Sequence, residues 1–376
     1  MTPNQLSVVL AERSVAGKPV LDLTASKPTE CGFNYDREAI LAALGNPASL
    51  IYQPEPRGLL TAREAVCEYY AARGDCVSPD SVVLTTSTSE AYSFVFRLLC
   101  NAGDEVLAPQ PSYPLFDFLA ELADVRLMRY PLLYDHGWQI DFHALERVIT
   151  SRTRAIIVVH PNNPTGSFCK PQEMARLNEI CAASGMAIIA DEVFLDYSLA
   201  GTTPQSFVTN AGGLTFTLSG LSKICGLPQM KAAWVVVSGP QRWRDEALSR
   251  LEVIADTYLS VSAPVQFALP MFLKQRRVFR EQVMLRVREN MAELDCQLAG
   301  QQACRRLLTE GGWSAVLRVP AAGFDDDLAV DLLQSKNVHV HPGHFYDFPS
   351  SGYIIVSLIG APVDFAEGLK GLLSKF

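Results

Sequence analysis

Between residues 81 and 237 short apolar runs alternate with stretches of helical composition, and this alternation limits the fold more than any other feature. Runs at 81–86, 105–108, 125–130, 155–159, 187–190 and 214–218 read as strands, with helices between several of them, at 89–100 and 171–184 for example. Strands joined by helix-length crossovers lie parallel in one sheet. The pattern predicts an α/β fold: a large domain with a mostly parallel, seven-stranded-type sheet sandwiched by helices. A run at 232–237 follows residue 218 after only a short link, which predicts an antiparallel strand.

From about Ala263 the character changes. Residues 272–298 are rich in Arg and Glu, contain no Pro or Gly, and predict one long connecting helix. Runs at 313–319, 338–340 and 353–358 predict strands, and 362–375 a closing helix, which together make a smaller α+β domain. The first ~45 residues look irregular and are expected to pack against a domain rather than form one. The expected division is a large domain at 46–270 and a small domain from 1–45 plus 271–376. Asp325-Asp326-Asp327 reads as a solvated turn. A chain of 376 residues with 48% apolar content has enough material for both cores.

A net charge of −8 argues against a nucleic-acid groove or an anionic membrane surface as main partner. Nine cysteines are scattered singly with no C-x-x-C pair, which reads as free thiols in a reducing compartment and predicts no metal site. No apolar run approaches ~18 residues, the length a spanning helix needs, and no signal-peptide pattern opens the chain. A cytoplasmic protein is expected.

Lys223 is the first candidate for chemistry. From Tyr197 to Gln241, 45 residues carry two charged side chains, Lys223 and Lys231. An ammonium in apolar surroundings loses hydration, which lowers its pKa and frees its amine as a nucleophile. Such a lysine suits imine formation with a carbonyl cofactor. Three other segments also sit just past strand ends, where an open parallel sheet binds ligands. Thr85-Thr86-Ser87-Thr88-Ser89-Glu90 brings hydroxyls to a fresh helix N-terminus, as a phosphate cradle or as a plain N-cap run. His160-Pro161-Asn162-Asn163-Pro164-Thr165-Gly166 is dense in turn residues, and its Asn can donate to a ring oxygen or simply serve a tight turn. Asp191, at the end of a buried run, wants a cationic partner such as a protonated ring nitrogen, or caps a helix. At Ser222-Lys223, with Lys231 beyond, one amine can form the imine while the other neutralises a phosphate. Together these four meet the needs of pyridoxal phosphate, which acts as an electron sink for a carbanion at the substrate Cα.

On Pro161-Asn162-Asn163-Pro164-Thr165-Gly166, Asp191-Glu192-Val193 and Ser222-Lys223 with Gly226, the chain resembles the fold-type I pyridoxal-phosphate enzymes, specifically the class I/II aminotransferases, over nearly its whole length. The resemblance implies that Lys223 forms the imine and shuttles the proton between substrate Cα and cofactor C4′. It implies that Asp191 holds the pyridine nitrogen protonated, that Asn163 bonds the ring oxygen, and that Tyr113 stacks on the ring. Ser87, Thr88, Ser222 and Lys231 would bind the phosphate. Tyr52 would reach the phosphate of a neighbouring subunit, which implies a homodimer. The implied activity is amino transfer (EC 2.6.1) between an amino acid or amine and a 2-oxo acid. A C–S β-lyase or decarboxylase of the same fold, an amine-specific transaminase, and a non-catalytic cofactor-binding regulatory module are the alternatives.

Three positions depart from what the resemblance implies. Lys231 stands in place of an Arg and offers a point charge rather than a fork. Phe194 stands in place of a phenol near the ring oxygen, with Tyr197 a candidate substitute. Ile355, or its neighbour Ile354, stands in place of an Arg that clamps the substrate carboxylate. Lys27 is the candidate replacement for that clamp, against its reading as a solvated loop lysine, and His344 is a second.

Overall fold

The computed structural model describes residues 4–376, apart from 200, 202, 203, 321, 322 and 324. The N-terminal segment is more regular than its sequence predicts. Asn4 caps a helix at Gln5–Val15, accepting from the Ser7 N–H at 2.8 Å, and Asp36 caps a second at Arg37–Leu44. Helices of 11 and 8 residues draw their stability from packing rather than from a long period, so no periodic signal marks them. Strand β1 (Leu21–Asp22) lies between them.

The large sheet takes β2 (Val82–Thr85), β3 (Glu105–Gln110), β4 (Arg126–Tyr134), β5 (Trp138–Ile140), β6 (Thr153–Val159), β7 (Ala187–Asp191), β8 (Thr215–Gly220) and β9 (Ala233–Ser238). Their order is β2-β9-β8-β7-β6-β3-β4-β5. Strand β9 runs antiparallel to both β2 and β8, as the short link predicts. The sheet has one strand more than expected. The extra one, β5, is a three-residue hairpin partner of β4, too short to carry an alternation.

Both faces of the sheet are covered, which is why its strands read as continuous apolar runs. Ile157 and Ile189 face a core built with the helices Thr88–Leu99 and Gln241–Tyr258. Ile156 and Ile188 face the helix Pro171–Ser184 on the other side.

The remaining strands are β10 (Arg305–Arg306), β11 (Ser314–Arg318), β12 (Val338–His339), β13 (His341–Pro342) and β14 (Tyr353–Ser357). Four form an antiparallel sheet in the order β10-β11-β14-β13, while β12 pairs parallel with β1. The helix Ala263–Ala299, 37 residues long, serves both layers. Its Val265, Leu269 and Phe272 pack towards β2 and β9, and its Phe279, Val283 and Leu294 pack in the core of the small sheet. It begins at Ala263, well before residue 272, and contains Pro270, a residue that reads as a break in the sequence.

The acidic run is not a solvated turn. Asp325 opens the helix Asp325–Lys336, is buried, and accepts the N–H groups of Gly352 at 2.6 Å and Tyr353 at 3.3 Å. Carboxylates in a first helical turn meet the positive end of the helix dipole. Among the described residues no helix is long and apolar enough to cross a membrane.

Candidate active site

Parallel strands end together. The carboxyl ends of β2, β3, β6, β7 and β8 therefore share one edge, and β9, running the other way, begins there. A cavity of about 310 Å³ opens at this edge. Thr88, Tyr113, Asn163, Asp191, Ser222 and Lys223 line it from the large sheet. Thr24, Ser26, Trp313, His341, Tyr346 and Ile355 line it from the opposite side.

Lys223 sits on a single helical turn, Leu221–Ile224, directly after β8. Gly226 ends that turn with φ +63°, and a Cβ there would lie 2.3 Å from the Phe279 ring and 2.6 Å from the Tyr35 hydroxyl. Tyr35 uses the space, donating to the Gly226 carbonyl at 2.9 Å. The Lys223 carbonyl accepts from the Tyr197 hydroxyl at 2.5 Å. Tyr197 is fully buried and absent from the cavity lining, so it fixes the Lys223 backbone and does not supply the phenol missing at Phe194. Lys223 Nζ stands 5.1 Å from the centroid of Trp313 and 5.5 Å from that of Phe194. Burial lowers the pKa of this amine, and the charge of Asp191 partly restores it.

Asp191 closes β7. Its Oδ2 accepts from the Tyr92 hydroxyl at 3.1 Å and its Oδ1 from the Val193 N–H at 3.2 Å. Burial pushes its pKa up to about 6. The chain leaves it in a turn, not a helix, so helix capping does not explain the residue. The neighbouring Glu192 accepts from the Ser206 hydroxyl at 2.7 Å and the Phe207 N–H at 2.6 Å, and burial pushes its pKa up to about 7.

Asn163 reaches the cavity because Asn162 holds its turn. Asn162 Oδ1 accepts from the Ser112 hydroxyl at 3.0 Å, and Nδ2 donates to the Pro111 carbonyl at 3.1 Å and to Thr165 Oγ1 at 2.9 Å. That network also ties the turn carrying Tyr113 to the turn carrying Asn163. Gly166, at φ +71°, lets the Gly311 carbonyl approach to where a Cβ would be only 2.5 Å away.

Ser87 is the N-cap of the helix Thr88–Leu99. Its Oγ accepts from the Glu90 N–H at 3.1 Å, while Glu90 accepts from the Thr86 N–H at 2.7 Å. The capping reading of this segment is therefore realised. Thr88 still lines the cavity, and the first-turn N–H groups of Thr88 and Ser89 have no acceptor within the helix.

Other residues singled out by sequence stand apart from the cavity lining. Lys231 is exposed, with φ +53°, just before β9. Tyr52 is 79% exposed beside Leu50 and Ile51. The Lys27 side chain is exposed and paired with Glu30 at 3.3 Å. His344 lies 3.4 Å from Asp326. The ambiguity at β14 is resolved: Ile355 faces the cavity, and Ile354 points into the small core, as alternation requires.

Sequence reading missed Tyr92, Trp313 and His341. Tyr92 was detectable, being four residues after Thr88 and so on the same helix face. Trp313 and His341 reach the cavity through tertiary pairing alone. Burial holds the His341 pKa down at about 4, and its Nδ1 lies 3.2 Å from the Tyr346 hydroxyl.

The sequence matches the family model for aminotransferase class I and II over residues 22–358. It is 25% identical over 354 residues to the glutamate-pyruvate aminotransferase AlaA of Haemophilus influenzae, covering 91% of this chain and 87% of that protein. It is 26% identical over 386 residues to the alanine aminotransferase of Mycobacterium bovis, covering 96% and 86% respectively. The structure superimposes on an alanine aminotransferase from Pyrococcus furiosus with a TM-score of 0.89 at 21% identity, covering 98% of this chain and 95% of that one, which shows a shared fold.

Proposed function

The chain belongs to the class I and II aminotransferase family, and from that premise we propose that the cavity at the sheet edge is its active site, with Lys223 as the reactive amine. It is a pyridoxal-phosphate-dependent aminotransferase. The residues at this edge suit that cofactor. Asp191 is a buried carboxylate whose raised pKa a protonated ring nitrogen would bring back down. Asn163 offers an amide to the ring oxygen, Tyr113 an aromatic face, and Thr88 with Ser222 the hydroxyls and helix-terminal N–H groups a phosphate needs. Ser87 and Lys231 complete the phosphate site in this reading. When bound, the cofactor draws electron density away from the substrate Cα and so makes its proton removable.

The chain's own groups do the rest. Lys223 Nζ takes the proton from the substrate Cα and returns it elsewhere on the same conjugated system. Its lowered pKa leaves more of the amine free at neutral pH than a solvated lysine would have. Phe194 carries no hydroxyl, so the ring oxygen relies on Asn163. At Ile355 the wall is apolar, and His341, Tyr346 and Ser357 beside it are uncharged donors and acceptors at neutral pH. A substrate carboxylate on that side would meet neutral hydrogen bonds unless Lys27 swings inward. Lys27 would first have to leave Glu30, and an exposed pair of that kind costs little to break.

The relatives' names point to amino acid donors such as alanine or glutamate and to pyruvate as a 2-oxo acid acceptor, and we take the transfer in this chain to run as a ping-pong cycle. A homodimer with Tyr52 reaching into the partner's site accounts for that tyrosine's exposure. Nine free cysteines accord with a cytoplasmic location.

One observation carries the reading: a half-buried lysine and a buried carboxylate facing one cavity at the ligand-binding edge of a parallel sheet. The test is borohydride reduction of the cofactor-loaded protein followed by peptide mapping. The cofactor should be fixed to Lys223, and Lys223→Ala should lose both the label and at least ~10³-fold of the amino transfer. A label on another lysine rejects the assignment. In parallel, a panel of amino donors is mixed with the loaded protein. Conversion to the amine form of the cofactor with release of a 2-oxo acid supports transfer, whereas ammonia or carbon dioxide release supports a lyase or decarboxylase.

A further inference from the structure

Two aromatic rings flank Lys223, the one lysine that lines the cavity among the described residues. Trp313, on the loop before β11, and Phe194, on the turn after β7, place their centroids 5.1 Å and 5.5 Å from Lys223 Nζ. The rings pack edge to face on each other at 5.2 Å, and Trp313 is fixed from another side by Tyr197 at 5.0 Å. Both distances lie inside the ~6 Å range over which a ring face attracts a cation.

We propose that Phe194 and Trp313 are positioning residues whose two ring faces seat the Lys223 side chain and stabilise the ammonium it becomes on taking up a proton. The inference rests on reading Lys223 as the acid–base amine of the site.

A second feature of Trp313 supports it. Its indole N–H is buried and finds no hydrogen-bond partner among the described residues. An unpaired buried donor is costly, and a phenylalanine would avoid that cost while still filling apolar space. The indole is nevertheless the ring whose face binds a cation most strongly. What the indole adds in return for its orphaned donor is therefore its π-face, and the cation over that face is Lys223.

The seat also resolves a conflict in the site. Burial opposes a charge on Lys223, which leaves more of the amine free but also weakens it as a base. A base that takes a proton must tolerate the resulting ammonium. Asp191 on β7 offsets part of that burial, and Cys31 adds a smaller contribution from the N-terminal segment. Tyr113, His341 and Tyr346 border the same cavity. The two rings favour the ammonium without adding a carboxylate that would compete for it.

The test uses the full chain stripped of cofactor. Lys223 is labelled competitively with trace acetic anhydride across pH 6–11, and its peptide is quantified by mass spectrometry. Trp313→Leu should move the Lys223 titration midpoint down by about one pH unit, roughly a tenfold change in the protonated-to-free ratio. Trp313→Phe should recover at least half of that shift, because it restores a ring face. Phe194→Leu, at a half-buried position, should shift the midpoint in the same direction and decides the matter if Trp313→Leu does not fold. An unchanged midpoint in the leucine variants overturns the proposal, as does a Phe variant no better than Leu. The outcome stands apart from the borohydride result. A cofactor fixed on a different lysine would overturn the role given to Lys223, while leaving the ring effect on its titration to be read from the labelling.

Discussion

Adjacent carboxylates at the end of β7 have opposite duties, and the difference lies in what surrounds each. Asp191 faces the cavity. Glu192 points away, into the bonds it receives from Ser206 and Phe207. Burial raises the Glu192 pKa from an ordinary 4.5 to about 7. The folded protein thus binds this proton more tightly than the unfolded chain does. The associated stability is fully present below about pH 4.5, is lost as pH rises towards 7, and stays lost above that. The loss is on the order of 3 kcal/mol. Glu192→Gln has no charge to bury and can still accept from the Phe207 N–H while its amide donates to Ser206 Oγ. In denaturant unfolding of the cofactor-free protein, the variant should gain about 2–3 kcal/mol relative to wild type on going from pH 5 to pH 8. Parallel pH profiles for the two proteins would show that Glu192 does not titrate in this range.

The turn after β7 is held as an element by a buried ion pair. Asp196 meets Arg73 at 2.6 Å and the Tyr69 hydroxyl at 3.2 Å, both on or next to the helix Leu60–Ala71, and the Asp196 carbonyl accepts from Arg280 at 2.9 Å. Phe194 and Tyr197 ride on this turn. Asp196→Ala leaves a buried guanidinium without its partner and should cost about 3–5 kcal/mol of stability by denaturant unfolding. The double variant Asp196→Leu with Arg73→Leu should recover part of that loss, since no charge is then stranded. If the double variant is as unstable as Asp196→Ala, the pair contributes more than its own charge compensation. Neither residue drew attention in the sequence, because a surface ion pair and a buried one look alike there. The site elements that were legible share a property: each lies at the end of a strand buried on both faces, where apolar runs give way abruptly to turn residues. Lys223, Asp191 and Asn163 stand at such transitions. Strands β5, β10 and β13, of two or three residues, carry no such contrast. Their existence depends on pairing with distant segments. His341, on β13, was illegible for the same reason, whereas Trp313 opens a run that does read as a strand and only the tertiary fold turns it to the cavity.

For the whole molecule, the helix Ala263–Ala299 and the exposed strip at 50–52 set the frame. The helix passes from one core to the other between Leu273 and Phe279, slightly beyond the division at residue 270 drawn from sequence. A boundary inside a continuous helix leaves the two layers joined by a stiff rod, so we place any closure over the cavity at that crossing and at the N-terminal segment. The strip is a different kind of boundary. Leu50 is 90% exposed and Ile51 61%, and with Tyr52 and Leu259 they border one open hollow. Adjacent apolar side chains left in water mark a contact surface. If the contact is with a second copy, each site draws its lysine from one subunit and its Tyr52 from the other. Lys223→Ala disables a site through its own subunit. Tyr52→Phe removes a phosphate-directed hydroxyl and weakens the site of the neighbour. Mixed after denaturation and joint refolding, the two variants form hybrids in which one site lacks both groups and the other retains both. Half of randomly assembled dimers are such hybrids, so the mixture should regain about a quarter of wild-type turnover at limiting cofactor, where each variant alone gives far less. Activity that stays at the average of the two separate variants would place Tyr52 at its own subunit's site, or at none, and would remove the shared-site dimer from the account of this enzyme.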